Sequence, residues 1–217
     1  MSEPARHDSL VEDLAAGLVP VRRLAPPGRR ALAWCGAALA LGLLILPFAD
    51  TAGLELRLGV ADLRYAGLGA LLTAIAAAYA AFQTSVPGRS AAWALLPLPP
   101  LLLWLGASGL GCLRAWIAPG ADIPDAGEMR GCFVFLMGVS LPLSALLVWM
   151  LRRACPLRPG LTAALGGLAA SAAAAALLVP FHPHDATATD LAIHLAAVAL
   201  IVGLNGLAGG RLLEPRR

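Results

Sequence analysis

A chain of 217 residues that is 59% hydrophobic and only 13% charged is not a soluble globular domain, since such domains carry nearer a quarter charged residues. Its mean hydropathy of +0.77 places it in a membrane. The net charge of +3 rests on arginine alone, and the arginines flank apolar runs without forming a patch, so direct nucleic-acid binding is not expected.

The first thirty residues are polar and lack the charged-then-apolar order of a cleavable signal peptide. Within them the arm Asp8–Arg30 looks built to touch another protein. Ser9 and Glu12 have the S-x-x-E spacing of a capping box, which predicts a helix start there. Leu10, Val11, Leu14 and Leu18 then share one narrow helical face, with Glu12 and Asp13 on another. Pro20 is expected to stop the helix, having no N–H to donate. Arg22 and Arg23, a Pro-Pro-Gly turn, and Arg29 and Arg30 follow. A helix of about ten residues is marginal alone in water. It must fold against lipid, the body of the protein or a partner.

Six apolar runs then approach the ~20 residues needed to cross a bilayer. They are Ala31–Phe48, Ala66–Thr84, Ala91–Leu113, Cys132–Leu151, Leu161–Val179 and Leu191–Leu212. The connections are short. The predicted fold is therefore an all-α polytopic membrane protein, with residues 1–30 as a cytoplasmic amphipathic arm and residues 31–217 as a six-helix transmembrane bundle. Pro97, Pro99 and Pro100 should kink or break the third helix, and Pro142 should kink the fourth. Small residues in the fifth run (Gly166, Gly167, Ala169, Ala170) and the sixth (Gly203, Gly206, Gly209, Gly210) suit close helix packing, or are only alanine and glycine filler.

Orientation follows from the arginines. Twelve of sixteen fall in the N-terminal arm, the second-to-third and fourth-to-fifth connections and the C-terminus. Both termini of this multi-pass protein are therefore expected in the cytoplasm. That topology sorts the reactive side chains. Cys35 and Cys155 face the cytoplasm. Cys112 and Cys132 lie toward the opposite face, with Met129, His182, His184, Asp185, Asp190 and His194.

Three readings of that face compete: side chains that merely pack at helix ends, a Cys112–Cys132 disulfide, or a soft-metal site. The metal site would use Cys132 with His182 or His184, and Cys112 or Met129 would complete the shell. Thiolate, imidazole and thioether suit copper(I), zinc or cadmium better than magnesium or calcium. No obligatory cofactor is implied. No C-x-x-C, nucleophile–base pair, phosphate loop or cofactor box is present, so an enzyme is not expected. No charged residue lies mid-membrane, which argues against an ion or proton path.

The stretches LVEDLAAGLVPVRRLAPPGRR, SVPGRS, CFVFLMGVSLPL and RRACPLRPGLTA, in this order and spacing, together resemble the NrsF family. These are six-helix inner-membrane anti-sigma factors that hold an extracytoplasmic-function (ECF) sigma factor at the membrane. The resemblance implies that the cytoplasmic face, including the arm with Arg22 and Arg23, sequesters the sigma factor. It also implies that periplasmic cysteines sense heavy-metal or oxidative stress, and Cys132 matches one of them. Where the family's second sensing cysteine is expected, this sequence has His182. That departure argues against a two-cysteine disulfide switch and favours a metal bridging thiol and imidazole. The alternative function is a small metal-handling or solute-transporting membrane protein, its arm lying flat on the lipid. Oligomeric state is not legible.

Overall fold

The computed structural model describes residues 3–18, 23–49, 54–55, 58–117, 126–181 and 188–213. These residues form helices and turns, with no strand among them. Helix α1 spans Glu3–Ala16 and is 14 residues long. It begins six residues before Ser9, so the capping box is not its start: Ser9 and Glu12 sit inside the helix. Pro4 explains the earlier start, because proline in a first helical turn sacrifices no hydrogen bond. The helix also ends at Ala16, ahead of Pro20. Gly17 makes the turn, and Leu18 lies just beyond it, its N–H donating to the Ala15 carbonyl at 3.2 Å.

Among the described residues, six helical segments are long and apolar enough to cross a membrane. Helix α2 (Pro27–Ile45) starts with proline in its first turn, four residues before the expected run, which brings Arg29 and Arg30 inside the helix. Helix α3 (Ala61–Thr84) reaches back to Asp62 in its first turn. A 3-10 turn at Ala91–Leu95 is capped by the Ser90 hydroxyl, which accepts the Ala92 N–H at 3.1 Å. The chain breaks at Leu96–Pro97, and α4 (Leu98–Ile117) then opens with Pro99 and Pro100 where proline is tolerated. The proline cluster thus breaks the third crossing near its start. Helix α5 (Ala126–Leu151) is continuous through Pro142. Helix α6 covers Pro159–Leu178. The last crossing, α7 (Ala188–Leu204), continues through a π-helical turn at Asn205–Gly209 into Gly210–Leu213.

Helix α6 is the central column: 61% of its apolar window is buried, against 17% for α2 and for the last crossing. Composition explains the position. Its sequence is almost wholly alanine, glycine, serine and leucine, so neighbours approach its backbone closely. In lipid, where apolar surface gains little from burial, such packing is what holds helices together. A methyl group built on Gly167 would lie 2.9 Å from the Ile201 carbonyl oxygen and 3.0 Å from Val202 Cα on α7. At Gly166, Gly167, Gly209 and Gly210 the small residues serve packing, whereas Gly203 meets nothing within 4 Å. Helices α3, α5 and α7 pack directly on α6; α2 closes the gap between α3 and α5, and α4 that between α3 and α7. The third and fourth crossings are not packed neighbours, since α7 lies between them.

Candidate functional site

The two ends of the bundle differ in chemistry. At the end where the arm enters, the C-termini of α3 and α5 converge on Arg30 near the start of α2. This arginine is buried, although it stands only three residues into α2. Its guanidinium donates through Nη1 to Ser85 Oγ at 3.4 Å and through Nη2 to the Met150 carbonyl at 2.5 Å, and it lies 4.7 Å over the Phe82 ring. Ser85 caps α3 and Met150 is in the last turn of α5. Each helix C-terminus presents roughly half a negative charge, so two of them offset one guanidinium, and the ring face adds to this. Next to it, Thr84 Oγ1 on α3 and Thr162 Oγ1 on α6 are 3.1 Å apart, both buried. Gln83 Oε1 is buried without a hydrogen-bond partner.

Two further bonds hold α5 at middle depth. The Trp34 indole N–H on α2 donates to the Leu143 carbonyl at 3.1 Å. Asn205 Nδ2, at the start of the π turn, donates to Ser144 Oγ at 3.1 Å and to the Ile201 carbonyl at 2.9 Å. A buried amide in this setting costs several kcal/mol unless satisfied, and here both its donor bonds are made. Sequence reading missed Arg30, Trp34 and Asn205 as a set. The signal was present for the first two: once α2 is extended back to Pro27, Arg30, Trp34 and Ala38 fall at helical spacing on one buried face.

Outside the crossings, α1 leaves its apolar side uncovered. Leu10, Val11, Leu14 and Leu18 are 55%, 63%, 66% and 78% exposed. Such a row beside Glu12 and Asp13 is unlike a finished surface. Arg22 lies outside the described residues. Arg23 is exposed, and with Leu24, Ala25 and Arg153 it lines a hollow of about 630 Å³ between the tail of the arm and the α5–α6 connection.

At the distal end, Cys132 is buried and begins the inward stripe of α5, with Met129 half-buried one turn earlier. Phe135 packs against Phe181 with ring centroids 5.3 Å apart. Phe181 closes the 3-10 turn after α6 and immediately precedes His182. The α5 turn that follows Cys132 thus touches the residue from which the histidine segment departs. His182, His184 and Asp185 lie outside the described residues. Among those described, no three His, Cys, Asp or Glu side chains gather as a metal site. Cys112 is half-buried on α4, across α7 from Cys132, and no disulfide joins the four cysteines. An exposed ion pair, Arg114 to Asp62 at 2.9 Å, ties the end of α4 to the start of α3. Beneath it an apolar cleft of about 370 Å³ separates α4 from α6, with Trp104, Ser108, Leu168 and His194 among its walls.

A family model described as NrsF, negative regulator of sigma F, matches residues 14–214. The match contains every site residue singled out from the sequence except Leu10. No curated protein matches, and no solved structure does.

Proposed function

The chain belongs to the NrsF family, negative regulators of sigma F, and from that premise we propose that it holds an ECF sigma factor at the cytoplasmic face of the inner membrane. Helix α1 supplies the grip. Leu10, Leu14 and Leu18 enter an apolar groove on the sigma factor, and Arg22 and Arg23 meet its carboxylates. The observation that carries this reading is the uncovered leucine row, because a 14-residue helix whose apolar side the bundle leaves uncovered must fold against something else, and a sigma factor is the partner the family supplies. The hollow between Arg23 and Arg153 continues the same surface onto the bundle.

Release begins at the distal, periplasmic end. There Cys132 and His182 take a soft or borderline metal ion, with His184, Cys112 or Met129 completing the shell, and copper(I), zinc and cadmium suit these donors. The Phe135–Phe181 contact supports pairing Cys132 with His182, since it joins their two segments. Cys112 is the weakest member of the set, because α7 separates its helix from α5.

Purification of the intact protein from its own membrane, with mass spectrometry of what accompanies it, tests the grip. The parent should bring down a sigma factor. Leu14→Asp should lose it at unchanged protein level. Burial of one leucine is worth ~1.5–3 kcal/mol, so affinity should fall by tens-fold. Undiminished recovery of the sigma factor with Leu14→Asp would refute the groove.

A further inference from the structure

We infer that α5 is a rigid connecting rod between the two ends of the bundle, and that Arg30 is the positioning residue on which its movement is read. The inference rests on the anti-sigma reading and adds a route from the distal end to the arm.

One face of α5 is buried along its whole membrane length: Cys132, Leu136, Val139, Leu143, Leu147 and Leu151. Cys132 opens that stripe, and Met150 lies near its far end, roughly 27 Å away at 1.5 Å per residue. The helix has no break, even at Pro142. Its packing is close, since a methyl group on Gly166 of α6 would come within 2.7 Å of Leu147 Cδ2. An interior packed to this density does not absorb an added ligand locally. A group bonded to the Cys132 thiol therefore displaces the rod as a unit.

At the arm end the rod terminates on a charge. No carboxylate among the described residues pairs with Arg30; its partners are Ser85 Oγ, the Met150 carbonyl and the Phe82 ring. Withdrawal of Met150 removes one of the two helix termini that offset the guanidinium. A buried charge stripped of compensation is strongly disfavoured, so Arg30 moves out to water. Arg30 is four residues from Pro26, to whose carbonyl its backbone N–H is bonded at 3.2 Å. Its departure therefore shifts the point where the arm joins the bundle, and with it the grip on the sigma factor. Two discrete arrangements of a packed helix, biased from one end and read at the other, are what a coupling route requires.

The test is a sigma-dependent reporter in cells carrying the full-length protein, with its level followed by immunoblot. Cys132→Trp adds bulk at the head of the rod and should switch the reporter on, by about tenfold if the coupling is of ordinary size. Cys132→Leu, a milder change less prone to misfolding, should do the same to a smaller extent. Arg30→Gln alone keeps donors without the charge and should leave repression intact. In the same chain as Cys132→Trp or Cys132→Leu, it should switch the reporter off again. Arg30→Lys, which keeps the charge, should not suppress. A purely structural arginine predicts the reverse, with Arg30→Gln releasing the sigma factor alone and worsening the cysteine variants. That result, or failure of Arg30→Gln to suppress, would overturn the inference. So would silent Cys132 variants at normal protein level. A reporter that stays off when the protein is deleted would overturn the anti-sigma reading itself, and the inference with it.

Discussion

At the scale of single residues, the proposed distal site would separate sensing from holding. Cys132 and His182 belong to the segments joined by the Phe135–Phe181 contact, while the leucines proposed to grip lie on α1 and just beyond its end. Cys132→Ser and His182→Ala should therefore each abolish induction by added cadmium or copper while retention of the sigma factor persists. His182→Cys should keep part of the metal response and add sensitivity to oxidants, because two thiols, unlike a thiol and an imidazole, can form a disulfide. Reporter induction beside equilibrium metal binding to the purified protein measures both. If His182→Ala binds and responds like the parent, the histidine is no ligand. The residues proposed for this site stand out in the sequence because thiols and imidazoles are rare in so apolar a chain. Arg30 was not legible. An arginine at the edge of an apolar run reads as a topology signal, and only the convergence of α3 and α5 on it makes it a buried staple.

At the scale of elements, all six crossings could be read from hydropathy, because a bilayer of fixed thickness demands a run of fixed length. Their starts were placed too late in α2 and α3, where polar residues precede the apolar run. Arg29 and Arg30 stand inside α2, and Asp62 and Arg64 inside α3. Helix continues through such residues since its own backbone bonds do not depend on polarity. The arm helix was misplaced for a related reason: the S-x-x-E pattern marks a start only where the preceding residues are not themselves helical, and Pro4 had already opened the helix. The proposed orientation carries a test of its own. With both termini in the cytoplasm, a membrane-impermeant maleimide applied to intact cells should modify Cys112 and spare Cys155, which is exposed on the α5–α6 connection. Cys132 should react slowly, because it is buried. Rapid modification of Cys155 from outside would invert the topology.

For the molecule as a whole, stability rests on how near the other helices come to α6. Gly167→Leu forces side-chain atoms into a gap that a methyl group would already overfill. Overpacking commonly costs ~1–3 kcal/mol, and here the obstruction is α7 backbone that cannot rotate aside. The variant should lower the thermal midpoint of the detergent-solubilised protein, whereas Gly36→Leu, which meets nothing within 4 Å, should not. Equal midpoints for the two would refute the column as the source of cohesion. The order of helices around α6 was not legible at all, since hydropathy counts crossings and says nothing of which ones touch.

That order also bears on how the protein is made. Crossings leave the ribosome in sequence, yet α4 and α5 are not neighbours, and the space between them is filled by α7, the last to be synthesised. Until then α6 stands open on one side, its glycines and alanines facing lipid that cannot fill their grooves as Ile201 and Val202 do. In the proposed orientation the arm, first to emerge, would meet the cytoplasm while the bundle is still an unclosed ring. On the proposed function, a nascent chain would bind its sigma factor before it could respond to anything outside the cell. A chain that stops short of α7 would be left as bait with no release, a species that membrane proteolysis should clear quickly.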